Sequence, residues 1–533
     1  VSPLFGFIRG CRCRMFRCKV ADSTGLELSG GRLLAASLVL RRVLIRSGIA
    51  NSAQSSIGIL LPPSVAAVLA NLAVAFAGKT VVNLNYTFKN DRAQHCVTQC
   101  AITHVLTSRR FLKRRPFELS AEMIFVEDLA KLATWWDRLL CIAAGYLLPV
   151  TMLGRMLGLD KNSDDDLMAI LFTSGTTTLP KGVMLSHGNI DASLNAIRNL
   201  YRVNRDDVTI GILPFFHAFG YSGTLWLPLV TDMAAVYHVD PFGSKEIGKL
   251  ARRYKATVLF ATPTFLKMYL RRCDADDFAN LELAIVGAER LDPMLAKSFS
   301  EKFKATAVEG YGTTETSPWI SVNVPASRTL QKGVTGDRSG TVGRPVPGVQ
   351  VKVVDPESQV ERPIGCEGLL LAHGANVMLG YWMQPQMTAE VLHDGWYNTG
   401  DFAKQDADGF ITITGRQSRF SKLGGEMVPH EAVENAINQI VAPNADEGLQ
   451  YAAVTAIPDT AKGERLIVIH TPPIKYSPTE IVQQLTENEF PPLWIPKPAD
   501  FIEVNELPMT SMGKIDLGAL KQIATTCGRF AEK

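Results

Sequence analysis

An α/β fold spread over more than one domain is what this sequence predicts, and three observations carry the prediction. The chain has 533 residues, against roughly 150 for an average domain. Short apolar runs alternate with longer helical ones through the first half, the pattern of a mostly parallel sheet with covering helices. A Pro/Gly-rich, strand-like region takes over near Gly340, and a smaller mixture of helix and strands closes the chain.

The elements can be taken in order. Apolar residues recur at helical spacing from Leu33 to Ile45, and Ser56-Ile57-Gly58-Ile59-Leu60-Leu61 reads as a buried strand stopped by Pro62 and Pro63. The Ala-rich run from Val65 to Ala77 predicts a helix, with Gly78 suited to its C-terminus. Val81-Val82-Asn83-Leu84 and His104-Val105-Leu106-Thr107 are further strands. Leu167 to Phe172 is another, and Val183-Met184-Leu185 looks like a strand returning beside it. Ser186-His187-Gly188-Asn189 supplies capping side chains for a helix. Strands then follow at 208–213, 257–261 and 283–286. Glu431 to Ile440 predicts a helix, flanked by strands at 452–456 and 466–470.

Composition excludes several classes. Lys plus Arg number 55 against 52 Asp plus Glu, so the net charge of +3 gives no argument for nucleic acid. Nine scattered cysteines argue against a disulfide framework and for a reducing compartment. No run reaches the ~18 to 20 uncharged apolar residues that a membrane-spanning helix needs. Because the chain starts at Val1 and not at Met, it is expected to be processed or cut from something longer.

Two segments leave alternatives open. The first residues, through Cys11, Cys13 and Cys18, are basic with interleaved apolar residues. Zinc, contact with an anionic membrane surface and an ordinary solvated terminus compete here, and the solvated terminus is favoured. Leu139 to Gly154 carries no charge, is interrupted by Pro149, and is flanked by Trp135, Trp136, Arg138 and Arg155. Peripheral membrane contact and packing against the globule are equally good readings.

The chemistry concentrates in loops that follow strands. Thr173-Ser174-Gly175-Thr176-Thr177-Thr178-Leu179-Pro180-Lys181-Gly182 offers hydroxyls, backbone N–H groups and a lysine charge, all suited to phosphate oxygens. It departs from the P-loop pattern, since Pro180 and Gly182 stand where Gly and Ser/Thr belong and a strand follows in place of a helix. Gly287-Ala288-Glu289 is a small-residue turn against which a flat ring could lie. Gly310-Tyr311-Gly312-Thr313-Thr314-Glu315 combines an aromatic ring, hydroxyls and a carboxylate suited to Mg²⁺. Further on lie Thr399-Gly400-Asp401, Gly415-Arg416 and Pro508-Met509-Thr510-Ser511-Met512-Gly513-Lys514.

In this order the motifs resemble those of the adenylate-forming superfamily, which includes acyl-CoA synthetases, luciferases and the adenylation domains of peptide synthetases. The resemblance covers nearly the whole chain. It implies a large domain over 1–415, with mixed, mostly parallel sheets and a β subdomain, and a small mobile α+β domain over 416–533. It implies ATP and Mg²⁺, with Thr173 to Thr178 and Lys181 on phosphate, Gly287, Ala288 and Glu289 on adenine, and Gly310 to Thr313 around the nucleotide. Glu315 would hold the metal beside Thr314, and Asp401 and Arg416 would hold the ribose. Lys514 would be the mobile catalytic lysine and Lys422 would serve the second half-reaction. The hinge would fall on Ser418, where the family usually has Asp or Lys.

Phe216, His217, Phe219 and Gly220 would border the acid. No acidic residue follows them to pair with a substrate ammonium, so an apolar acid fits better than an amino acid. The combination of Pro214-Phe215-Phe216-His217, 261–266 and 424–431 looks most like an acyl-acyl carrier protein synthetase domain found fused to lysophospholipid acyltransferases. That implies a long-chain fatty acid, acyl carrier protein as thiol acceptor and phospholipid repair in the cytoplasm, at or near the inner face of the membrane. Any acyltransferase would lie outside this chain. Alternatives are a long-chain fatty acyl-CoA synthetase, with CoA as acceptor, a fatty acyl-AMP ligase, or an inactive nucleotide- or acyl-binding module.

Overall fold

The computed structural model describes residues 2–51, 55–173, 179–330, 336–423, 426–441, 450–459, 463–472, 476–509 and 515–528, and within these the side chains of Ser418, Lys422 and Met427 are not described. The described strands form four sheets. The first has nine strands, and its centre is a parallel run of Ala234–Tyr237, Val208–Gly211, Val258–Ala261, Leu283–Val286 and Thr306–Gly312. The second has seven, with Thr80–Asn83, Ser56–Ile59 and His104–Thr107 parallel at its middle. Apart from the seven-residue Thr306–Gly312, these strands have four residues each and are almost wholly buried, because both faces of each sheet are covered.

The helix Val65–Phe76 shows why the Ala-rich run has no polar face. It touches Cys18–Asp22 of the first sheet and Ser56–Ile59 and Thr80–Asn83 of the second. A helix held between two sheets is apolar all round. Ser64 caps its start by accepting a hydrogen bond from the Ala67 N–H, and Gly78, at φ +69°, takes the left-handed turn after its end.

A third, antiparallel sheet joins Val349–Val354, Gly368–Gly374, Trp396–Gln405 and Ile411–Arg416. The fourth is built from Phe420–Leu423, Glu426–Pro429, Ala452–Asp459, Gly463–His470 and Phe501–Glu503. Beside it lies the helix His430–Val441, where one was expected. Among the described residues, the two apolar clusters of this last part draw only on residues from 423 onward.

The N-terminus departs from expectation. It is a helix, Pro3–Cys13, with Leu4, Phe7, Ile8 and Cys11 fully buried, and a solvated terminus is therefore the wrong reading. The i, i+3, i+4, i+7 spacing of those four residues was the missed signal. Its basic residues point elsewhere: Arg9 is exposed, and Arg12 donates to the Tyr146 and Leu148 carbonyls at 2.7 and 2.5 Å. The uncharged segment is two helices, Trp135–Leu147 and Val150–Met156, separated at Pro149 and packed against the globule by Cys141, Gly145 and Leu153.

Candidate functional site

Parallel strands leave a crevice beyond their carboxyl ends, where loops from neighbouring strands meet. In the first sheet those loops are 212–220, 261–263, 287–289 and 310–315, which hold most of the residues singled out from sequence. The Val286–Glu309 register sets Gly287 beside Gly310, and a Cβ on Gly287 would come within 3.3 Å of both the Gly310 carbonyl and the Phe219 ring. Phe219 in turn packs edge-on to Phe260 at 5.8 Å and Trp319 at 5.3 Å. Glycine at 287 therefore lets this turn lie close against the Gly310 carbonyl and the Phe219 ring.

The turn at 287–289 is partly tied. Ala288 adopts φ +70°, a left-handed conformation uncommon for a residue with a Cβ. One Glu289 carboxylate oxygen accepts from the Thr264 hydroxyl at 2.8 Å, and the other is buried with no hydrogen-bond partner among the described residues. A buried orphan acceptor asks for a donor. Phe216 and His217 sit together with ring centroids 4.7 Å apart, and Phe216 meets Tyr86 edge-on at 4.8 Å. Gly220 has a packing role: a Cβ there would fall 2.1 Å from the Pro214 carbonyl oxygen, so glycine lets the chain fold back on its own loop.

Two polar nodes lie further along the crevice. In the first, antiparallel register places Asp401 opposite Arg416, and the Arg416 Nε lies 3.0 Å from the carboxylate. The Tyr311 hydroxyl donates to the other Asp401 oxygen at 2.5 Å. Asp401 is almost fully buried, which is tolerable because both oxygens are partnered. Burial, then the Asp401 charge, raises the Tyr311 hydroxyl well above its ordinary value, so it stays protonated as a donor.

In the second node, the Glu315 carboxylate accepts from the Tyr381 hydroxyl at 2.8 Å, and Lys181 Nζ lies 5.2 Å from the centre of the Tyr381 ring. Tyr381 was not foreseen, although Gly380-Tyr381-Trp382 stands out as a glycine followed by two aromatics. It belongs to a short strand, Gly380–Tyr381, that pairs with Lys181–Ser186. Just before it, the Met378 N–H donates to the Glu315 carbonyl at 2.8 Å, and just after it the Trp382 N–H donates to the Gly182 carbonyl at 2.7 Å. Residues 376–382 thus clamp the Glu315 loop to the hairpin. Asn376 completes the clamp by donating to the Thr316 and Trp319 carbonyls. Tyr397, also unforeseen, is buried against Thr313 and feels the Glu315 charge, and its hydroxyl is held well above its ordinary value.

The hairpin itself is as expected. Leu167–Thr173 and Lys181–Ser186 are antiparallel, with Thr173 opposite Lys181 and Phe172 opposite Gly182. A Cβ at Gly182 would come within 2.9 Å of the Ile170 side chain, so the packing beside this strand favours glycine there. Ser174, Gly175, Thr176, Thr177 and Thr178 at its tip lie outside the described residues, as does Lys514. Gly312 closes the next loop tightly, since a Cβ there would overlap the Pro318 carbonyl at 1.6 Å. Thr313 and Thr316 cap the single turn that carries Thr314 and Glu315. Ser418 lies in the turn Gln417–Arg419, and Lys422 pairs with Met427 in the strand that follows.

The chain belongs to the AMP-binding enzyme family, whose model matches residues 15–382. It is 31% identical over 367 residues to the medium-chain fatty-acid–CoA ligase of Escherichia coli K12, a match covering 67% of this chain and 61% of that protein. It is 29% identical over 361 residues to the long-chain-fatty-acid–CoA ligase of Bacillus subtilis 168, covering 66% and 61%. The chain thus spans about three fifths of the length of these relatives. Its fold is similar to that of ATP-bound MatB from Rhodopseudomonas palustris, with a TM-score of 0.79, 25% identity, and coverage of 98% and 99% of the two chains.

Proposed function

We propose that this chain joins a fatty acid to the α-phosphate of ATP, releasing pyrophosphate, and then passes the acyl group to a pantetheine thiol with release of AMP. The observation that carries the reading is the clamp that ties Glu315, Tyr381 and the Lys181 hairpin into one cluster beside the Asp401–Arg416 pair. On this reading Glu315 is the carboxylate for a metal, Lys181 the cation for phosphate and Asp401 the acid for ribose hydroxyls. The orphaned Glu289 oxygen, beside the small-residue turn at 287–288, fits a flat amino-bearing base. Mg²⁺ at Glu315 would offset the repulsion between a carboxylate and a triphosphate.

On this reading residues 1–415 form the nucleotide- and acid-binding domain and 416–533 a small domain that turns at Ser418. Lys514 stabilises charge developing between carboxylate and α-phosphate, and the Lys422 hairpin replaces it for thioester formation. The fatty-acid–CoA ligases among the relatives favour CoA as acceptor over the acyl carrier protein suggested by the loop motifs. A phospholipid-repair role with a separate lysophospholipid acyltransferase follows only if the carrier protein wins.

One assay tests the reaction and separates the acceptors. The protein is given ATP, Mg²⁺ and palmitate with either CoA or holo-acyl carrier protein, and thioester and pyrophosphate are measured. Faster palmitoyl-CoA formation is the expected result. Faster transfer to the carrier protein moves the function to lipid repair. Pyrophosphate release with neither thioester leaves an acyl-AMP ligase, and no acid-dependent pyrophosphate release overturns the proposal. Lys514→Ala is expected to lower pyrophosphate release by orders of magnitude, and an unchanged rate removes Lys514 from the reaction.

A further inference from the structure

The helix Trp135–Leu147 is built inside out. Its inward face carries Asp137, Cys141 and Gly145, all buried, with Gly145 close against Ala35 of the helix Gly30–Arg46. Asp137 is pinned there by Arg46 at 2.6 Å and Arg42 at 2.9 Å, which hold its carboxyl well below the ordinary range. The outward face carries Trp135, Trp136, Leu139, Leu140, Ile142 and Leu147, each about half exposed or more. The two tryptophans stack at 3.6 Å.

The apolar surface continues onto neighbouring elements. Met152 and Met156 of the next helix are exposed by 51% and 62%, and Phe16, 85% exposed, meets Tyr146 at 5.9 Å. A soluble surface helix ordinarily turns its apolar stripe inward. A continuous apolar face with the polar side buried marks an interaction surface.

We propose that this face seats the protein on an anionic phospholipid bilayer. Charge argues for that occupant. From Trp135 to Met156 the exposed charged residues are Arg138 and Arg155, both basic, because the sole acid, Asp137, is buried. Arg9 adds an exposed cation nearby, and Lys131 another that is paired with Asp128 at 3.4 Å. Upstream, the helix Arg109–Arg114 and its cap Arg115 carry five basic residues, tied to the helix Val126–Leu132 by the Arg109–Asp128 ion pair at 2.6 Å. Trp at the edge of an apolar face with Arg beside it is the side-chain set of a membrane–water interface. Among the described residues no helix is long and apolar enough to cross a membrane. The helix is fixed along its length by the inner contacts, so its outer face, about 20 Å long, is free to lie in the headgroup plane.

The test is co-sedimentation of the whole chain with phosphatidylcholine vesicles and with mixed phosphatidylcholine–phosphatidylglycerol vesicles. The protein is expected to sediment with the mixed vesicles and to be released by salt. The triple variant Leu139→Ser, Ile142→Ser, Leu147→Ser is expected to lower partitioning by at least about tenfold. Arg138→Glu with Arg155→Glu is expected to abolish the preference for phosphatidylglycerol. Near-ultraviolet circular dichroism identical to wild type verifies that each variant is folded. Absence of sedimentation, or equal sedimentation of the triple variant, overturns the proposal. So does a dimer in analytical ultracentrifugation that the triple variant dissolves while vesicle binding is nil, since the face then meets a second copy.

Discussion

The crevice around Asp401 and the outer face of the Trp135–Leu147 helix reverse the ordinary distribution of residues in opposite ways. In the crevice, Asp401 is buried, and it and Glu315 are each held in a partnered cluster by a tyrosine hydroxyl. On the helix, tryptophan and leucine stand in solvent while an aspartate lies underneath. Polar groups inside and apolar groups outside both cost stability, and each persists where something beyond folding requires it. On the proposed readings the two places carry separable tasks: one would hold reacting groups, the other a surface.

The largest expected effect breaks the first region alone. Asp401→Ala removes the acceptor shared by Tyr311 and Arg416, and is expected to lower acid-dependent pyrophosphate release by about a hundredfold or more. A rate within a factor of two of wild type removes Asp401 from the ribose. Tyr381→Phe leaves the strand pairing intact but frees the Glu315 carboxylate, and a loss of about tenfold is expected, as for one hydrogen bond to a charged group. A shift in the Mg²⁺ concentration for half-maximal rate would place the effect at Glu315, and an unaltered Mg²⁺ dependence argues for simple packing.

A third test concerns stability. Burial pushes the Glu309 carboxyl up from 4.5 to about 7. The folded state therefore holds this proton more tightly than the unfolded chain does. Its contribution is full below the ordinary glutamate range and is lost as pH rises toward 7. Glu309→Gln is expected to flatten denaturant-unfolding stability between those limits, by up to about 3 kcal/mol. Parallel curves for variant and wild type exclude the assignment.

The smallest effect sharpens the separation. The triple serine variant of the outer face is expected to release pyrophosphate from a short, soluble acid at the wild-type rate. A large loss would show that face and crevice are coupled.

Much of this was legible in the chain itself. Strand runs such as Val81-Val82 and Leu283-Ala284-Ile285 announce themselves because burial on both faces leaves no room for polar residues. The hairpin at Lys181 and the capping of the helix after Ser186 were readable from local chemistry, and the capping box of Ser186 with Asn189 is present. Asp401 and Arg416 were named from motifs, and strand register makes them partners. Tyr381, Asn376 and Tyr397 were not legible, because their role arises from contacts with residues distant in the chain. The buried N-terminal helix was hidden for another reason: its arginines dominated a stripe of four apolar residues.

The clamp at 376–382 also bears on how the protein is made. The strand Lys181–Ser186 lies at the rim of the seven-stranded sheet until Gly380–Tyr381 pairs with it. During synthesis from the N-terminus, that rim stays an open row of backbone donors and acceptors while the seven later strands of the first sheet, from Val208–Gly211 to Arg344–Pro345, emerge from the ribosome. Such a row is a template for wrong pairing. The nascent chain therefore has a vulnerable interval that begins at residue 186 and ends only when the Gly380-Tyr381-Trp382 segment arrives to close it.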